Sequence, residues 1–150
     1  DMPLALLLVD VDFFKQVNDT HGHQVGDRVL QVVAGLLGET LRPDDVVARY
    51  GGEEFAIILP ETDEQSAMAI AQRLLTAIEN ASIKEGDGED ISVTVSIGCA
   101  SHQEHGMTPE DFVKNADAAL YEAKQTGRNR VVSESDRLLS EYAHWNTDAA

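Results

Sequence analysis

Val46-Val47-Ala48-Arg49-Tyr50-Gly51-Gly52-Glu53-Glu54-Phe55-Ala56-Ile57-Ile58-Leu59 reads as two strands folded back on a turn. Residues 46–50 and 55–59 are apolar, β-branched runs, and Gly51-Gly52 suits a tight hairpin because both glycines can take positive φ. The turn carries two carboxylates, Glu53 and Glu54, to the mouth of the second strand.

Working toward the N-terminus, Leu4-Ala5-Leu6-Leu7-Leu8-Val9 is a near-continuous apolar run ending in Asp10, as expected of a central strand covered on both faces. Residues 12–20 read as a short helix broken by His21-Gly22-His23. Residues 25–41 place Val29, Val33, Leu36 and Leu37 at helical spacing, with Asp27 in the first turn, and Pro43 ends that helix. Toward the C-terminus, Thr62 followed by Gln65 is a capping-box signature, and Ala67, Ile70, Ala71, Leu74, Leu75 and Ile78 form the stripe of the next helix. Residues 84–90 are Gly- and acid-rich, hence a loop. Ile91, Val93, Val95 and Ile97 alternate with Ser92, Thr94 and Ser96, a strand with one polar face. Thr108-Pro109-Glu110-Asp111 caps and starts a helix that Gly127 stops, and residues 130–132 form a last strand.

The order strand, two helices, hairpin, helix, strand, helix, strand argues for an α+β fold: a ferredoxin-like mixed sheet surrounded by helices. There the first strand lies antiparallel to the second hairpin arm. Adjacent strands are only about 4.8 Å apart, so Asp10 and Glu53 are expected to meet at one metal. Residues 1–133 form the domain. Residues 134–150, with Leu138, Leu139, Tyr142 and Trp145, form a small amphipathic extension expected to pack on the body.

The 150 residues suit one core. No apolar run is long enough to span a bilayer, and no signal peptide opens the chain. A lone cysteine, Cys99, forms no internal disulfide, which fits a reducing, cytoplasmic setting. Lys and Arg total 11 against 27 Asp and Glu, a net charge of -16. Such a surface repels nucleic acid. A phosphate-bearing ligand would need locally placed cations or a metal.

Asp10-Val11-Asp12 alone would be a solvated strand edge. Set beside Glu53 and Glu54, these acids become a hard-cation site, since Mg²⁺ takes one or two carboxylates together with substrate phosphates. Two such ions can clamp the attacking and leaving oxygens of a phosphoryl displacement. Lys124 and Arg128, four residues apart at a helix end, can favour the helix C-terminus or bind phosphate.

These motifs together, Val9-Asp10-Val11-Asp12-Phe13-Phe14-Lys15-Gln16-Val17-Asn18-Asp19, His21-Gly22-His23, Gly26-Asp27, Arg49-Tyr50-Gly51-Gly52-Glu53-Glu54-Phe55 and Ala123-Lys124-Gln125-Thr126-Gly127-Arg128-Asn129, resemble the GGDEF family of bacterial diguanylate cyclases, in the GGEEF variant. The resemblance covers residues 4 to 132 and implies a nucleotidyl cyclase, palm-type fold that makes cyclic di-GMP and two pyrophosphates from two GTP. By the same resemblance, Asp10, Glu53 and the Val11 carbonyl bind Mg²⁺ or Mn²⁺, while Glu53, Glu54 and Lys15 serve the chemistry. Asn18 and Asp27 read guanine, an edge whose paired donors suit a carboxylate. His23 contacts substrate, and Gly51 and Gly52 let the α-phosphate and the 3′-hydroxyl approach the backbone. The amides of Phe13 and Phe14, with Lys15, Lys124 and Arg128, bind phosphates.

Arg42-Pro43-Asp44-Asp45 precedes Gly51 by five residues. Arg42 and Asp45 resemble the family's inhibitory product site, which Arg73 would complete; such a pair matches guanine edges and phosphate. The implied partners are GTP, cyclic di-GMP as product and inhibitor, and a second copy of the chain, since one domain holds half the reaction. The segment itself is expected to contact neither nucleic acid nor membrane. A non-catalytic cyclic di-GMP receptor is the alternative, but such members usually lose the metal acids or the Gly-Gly turn. The chain starts without the Asp-x-Leu-Thr and Asn-Arg-Arg segment usual in the family and reads as an output domain whose sensory or membrane-anchoring part lies upstream.

Overall fold

The computed structural model describes residues 2–102 and 107–148. β1 (Leu4–Val11) leads into α1 (Phe14–His21) and α2 (His23–Thr40), followed by β2 (Val46–Arg49), β3 (Glu54–Pro60) and α3 (Glu64–Glu79). β4 (Val95–His102), α4 (Pro109–Gln125), β5 (Arg130–Ser133) and α5 (Glu134–Asp148) complete the chain. The strands form one sheet ordered β2-β3-β1-β4-β5. β1 is antiparallel to β3 and β4, whereas β5 runs parallel to β4, so the sheet is mixed as the element order implies.

β1 is apolar from Leu4 to Val9 because both of its faces are covered. Ala5, Leu7, Val9 and Val11 join Phe55, Ile57, Leu59 and the stripes of α2 and α3 in the larger core. Leu6 and Leu8 point the other way, onto Ala100, Ala116 and Leu120 beneath α4. Gly98 lets α4 approach: a Cβ there would strike the backbone of Ala116 and Leu120. That close docking carries Lys124, near the end of α4, over the end of β1. Thr108 caps α4 by accepting from the Asp111 amide at 3.1 Å, Pro109 occupies its first turn, and Gly127, at φ 129°, follows its C-cap.

Several local expectations are corrected. Neither Gly51 nor Gly52 has positive φ; instead the Tyr50 and Gly51 amides both donate to the Glu54 carbonyl, at 2.8 and 3.3 Å, closing a wider loop. A Cβ at Gly51 would lie 2.8 Å from Glu54 Oε2, the outer end of a side chain that can turn aside. α2 begins at His23, which puts Asp27 in its second turn and leaves no acid in the first. The α3 cap is Asp63, accepting from the Ser66 amide at 2.8 Å. Thr62 instead donates to the Pro60 carbonyl at 2.8 Å and accepts from Arg42 at 2.7 Å. The ladder of β4 starts only at Val95 and continues to His102, and Ser96 on its expected polar face is fully buried. α5 buries none of its residues: Leu138, Leu139, Tyr142 and Trp145 stay exposed, Trp145 at 67%. Among the described residues no helix is long and apolar enough to cross a membrane.

Candidate active site

The register of the sheet places Asp10 opposite Glu54 on β3 and opposite Ser96 on β4. Glu53 is one residue earlier in the loop, where its carbonyl accepts from the Val11 amide at 3.2 Å. Both glutamates therefore stand at the end of β1, with Glu54 rather than Glu53 directly across from Asp10. Lys124 reaches down from α4 and forms an ion pair with Asp10 Oδ2. Arg49 braces the loop, donating to the carbonyls of Gly51 at 3.3 Å and Gly52 at 2.6 Å.

Asp10 is only 3% exposed, and the acids around it crowd one another. Partial burial and then the Asp10 charge push the Glu53 carboxyl above its ordinary range, with Lys124 opposing. The same causes, in the same order, raise Glu54. Three carboxylates sharing one basic partner are under mutual repulsion, which a divalent cation would relieve. Among the described residues no three His, Cys, Asp or Glu side chains already close into a metal-holding group. The donor set is nonetheless hard oxygen of the kind Mg²⁺ takes: carboxylates from two strands and the nearby Val11 carbonyl.

Asp12 departs from the expected acid cluster. It is 5% exposed and turned inward. Its Oδ1 accepts from Ser96 Oγ at 2.6 Å, and its Oδ2 accepts from Thr94 Oγ1 at 2.7 Å and the Asn129 amide at 3.0 Å. With those partners it is committed to joining β1, the approach to β4 and the α4–β5 turn.

Phe13 sits in the left-handed region, φ 55°, as the N-cap residue of α1, and no side chain caps that helix. No acid occupies its first turn either, so the helix start keeps its free amides and positive end, the arrangement that receives anions. The Arg128 guanidinium lies over the Phe13 ring, 4.7 Å from its centroid, a cation–π contact. Lys124 beside Asp10 and Arg128 over Phe13 thus bring two cations to the end of β1 and the start of α1.

Asn18 on α1 meets the backbone of α2 at Gly26, where a Cβ would overlap Asn18 Oδ1. That oxygen is buried and has no hydrogen-bond partner in the chain, which is costly unless something else satisfies it. Asp27, the next residue, opens onto a cleft of about 520 Å³ lined also by Leu30, Gln31, Val47, Arg49 and Phe55. The Gly22 break, at φ 90° between the helices, makes this juxtaposition possible.

Arg42 and Asp45 form a local pair: the Asp45 carboxylate accepts from the Arg42 amide at 2.8 Å and from its guanidinium at 3.0 and 3.3 Å. Asp45 foremost, through hydrogen bonding and charge, raises the Arg42 pKa above its ordinary value. The guanidinium also donates to the Pro60 carbonyl and Thr62, so this end of β2 is organised around it. A shallow cleft of about 300 Å³ adjoins Arg42 and Asp44. Arg73 is exposed on α3 and does not line that cleft. Lys15 and His23 are exposed at the starts of α1 and α2. The sequence reading missed Asp12's inward role, the Arg49 brace and the packing requirement at Gly26; only the last had a signal, a glycine inside a helical pattern.

Comparison with known proteins identifies the family. The family described as diguanylate cyclase, GGDEF domain, matches residues 1–130. Diguanylate cyclase A of Treponema denticola is 46% identical over 135 residues, 90% of this chain and 36% of that protein. The probable diguanylate cyclase DgcT of Escherichia coli K12 is 44% identical over 134 residues, 87% of this chain and 29% of that protein. The chain thus spans about a third of the length of these curated relatives. The GGDEF domain of DgcB from Caulobacter crescentus, solved in complex with c-di-GMP, superposes with a TM-score of 0.84 at 36% identity, covering 89% of this chain and 78% of that one.

Proposed function

The chain belongs to the diguanylate cyclase GGDEF-domain family, and from that membership we propose that it joins two GTP molecules into cyclic di-GMP within a homodimer. The observation that carries this reading is the meeting of Asp10, Glu53, Glu54 and Lys124 at the end of β1, beside an uncapped helix start.

In this mechanism each domain holds one GTP. Asn18 and Asp27 take the guanine: a carboxylate accepts from the N1–H and N2–H₂ donors, and the unpartnered Asn18 oxygen gains a donor. The amides of Phe13 and Phe14, together with Lys15, Lys124 and Arg128, take the triphosphate. His23 contacts the substrate. Asp10, Glu53 and the Val11 carbonyl would hold Mg²⁺ or Mn²⁺, which would supply neutralisation of charge on the phosphate oxygens. The narrow backbone at Gly51 and Gly52 leaves room for the α-phosphate and the incoming hydroxyl.

Two domains then face each other antiparallel. The 3′-oxygen of each GTP attacks the α-phosphorus of the other; an O–P bond forms, the bond to the β-phosphate oxygen breaks, and pyrophosphate leaves. Glu54, whose carboxyl is raised by partial burial and then by the Asp10 charge, assists loss of the hydroxyl proton. Alignment across the dimer supplies much of the acceleration, because neither half can react alone.

Arg42 and Asp45, with Arg73, form a site for the product, by which cyclic di-GMP slows its own synthesis. The c-di-GMP complex of the DgcB domain supports a ligand of this class. Incubation with GTP and Mg²⁺ at several protein concentrations tests the whole reading. Cyclic di-GMP and pyrophosphate should appear with a rate more than proportional to concentration, and Glu53→Gln should abolish them in a folded protein. A folded dimer that makes no product would rule the cyclase out, and ligand binding without turnover would leave a receptor.

A further inference from the structure

We propose that Asp12 is a positioning residue for the triphosphate, holding the Phe13–Arg128 pair in place from beneath. The proposal rests on the nucleotide reading above but concerns a residue which that reading leaves without a role.

Asp12 grips the site on both sides of one contact. It directly precedes Phe13 in the chain, and its carboxylate holds the amide of Asn129, the residue directly after Arg128. Phe13 and Arg128 are the two partners of the cation–π contact. The residues on either side of the contact have unusual backbones: φ is 55° at Phe13, 129° at Gly127, 61° at Arg128 and 47° at Asn129. Side chains other than glycine rarely adopt such conformations, and where they persist the surroundings impose them. Here the imposing groups are identifiable. The Arg128 amide donates to the Ala123 carbonyl at 2.9 Å, the Arg128 carbonyl accepts from Arg130 Nε at 3.0 Å, and the Asn129 amide donates to Asp12.

Asp10 and Asp12 therefore divide the work of one strand end. Asp10 pairs with Lys124 in the crowded acid site, whereas Asp12 is closed off by Ser96, Thr94 and Asn129. Its chemistry calls for acceptors rather than charge. Asparagine in the same place could keep its oxygen toward Thr94 and Asn129 and turn its amide to Ser96, whose hydroxyl can rotate to accept. Alanine could do none of this.

The test compares affinities for GTP and guanosine, measured by titration of the intact chain. Asp12→Ala is expected to weaken GTP about tenfold, the size of one charge-assisted phosphate contact, while guanosine, read by Asn18 and Asp27, binds as before. Asp12→Asn should restore GTP affinity to within about threefold of the parent, since the brace needs no charge. In an Arg128→Ala background, Asp12→Ala should cost nothing further. Asp12→Ser, too short to reach the Asn129 amide, carries the same expectation and replaces the alanine variant if that variant does not fold. Equal weakening of GTP and guanosine, additivity with Arg128→Ala, or loss in Asp12→Asn as severe as in Asp12→Ala would overturn the proposal. A parent chain that binds neither ligand would instead overturn the nucleotide reading, and this one with it.

Discussion

Gly26 and Asn18 can hold their places only as a pair, because a methyl group on Gly26 would overlap the Asn18 side-chain oxygen. Glycine inside a helix costs about 1 kcal/mol against alanine, so α2 gives up helical stability at this position to accommodate its neighbour. Gly26→Ala is therefore expected to displace Asn18 and raise the KM for GTP by roughly tenfold or more, as loss of a buried base contact does. Gly35 and Gly38 in the same helix have open space at the Cβ position. Their alanine variants should stabilise the domain by up to about 1 kcal/mol each with KM unchanged. Thermal melts and steady-state kinetics on all three variants separate the packing requirement from propensity.

The acid site gives a pH-dependent prediction. Burial, then the Asp10 charge, raises Glu53 and Glu54, so the folded chain binds their protons more tightly than the unfolded one. That contribution to stability is complete below the ordinary carboxylate range and is lost as pH rises through the raised values. As pH rises through those values both groups lose their protons and the repulsion among the acids grows. Mg²⁺ should therefore raise Tm more at pH 7.5 than at pH 4.5, and Glu53→Gln should shrink that difference. A metal-induced shift independent of pH would contradict the proposed ligands.

How much of this could be read from residues alone varies with the kind of information each carries. The apolar run of β1 and the stripes of α2 and α3 specify burial by periodicity, and the element order gave the antiparallel pairing of β1 with β3. Register brings Glu54 opposite Asp10, whereas the element order alone suggested Glu53, which precedes it in the loop. The inward role of Asp12 was not legible: an acid two positions along a strand looks like its neighbour until the partners on β4 and the α4–β5 turn are known. Gly51-Gly52 likewise suggested positive φ, whereas neither adopts it and the loop closes through the Glu54 carbonyl. Thr62 and Asp63 are adjacent candidates for one cap, and the Arg42 guanidinium, distant in sequence, engages the threonine.

Cys99 is fully buried in β4, and burial pushes its thiol pKa up to about 12. A thiol held neutral and out of solvent is a poor nucleophile. Alkylation by iodoacetamide at pH 8 should be undetectable over hours in the folded protein and complete within minutes in denaturant. Rapid labelling of the native chain would mean that β4 opens readily.

Arg42 donates to Asp45, Pro60 and Thr62 at once. If cyclic di-GMP inhibits through this corner, Arg42→Ala should abolish the inhibition while initial rates at low product stay within about twofold of the parent. Progress curves decide it: the parent should slow well before GTP is exhausted, and the variant should not. Persistent slowing in the variant would place the inhibitory site elsewhere.

Gly98 links fold to chemistry most directly. It pairs with Leu8 across the β1–β4 ladder, and α4 lies so close above it that an added Cβ would meet the Ala116 carbonyl and the Leu120 backbone. Backbone cannot swing aside as a side chain can, so Gly98→Ala must lift α4 as a body. Overpacking of this kind typically costs about 1–3 kcal/mol. Lifting α4 also withdraws Lys124 from Asp10, whose ion pair depends on the seating of that helix. Gly98→Ala is therefore expected to lower Tm and, in the fraction that remains folded, to weaken GTP binding in the same direction as Lys124→Ala. A variant that loses stability but keeps full affinity for GTP would show that Lys124 reaches its place by a route other than the close packing of α4 on β4.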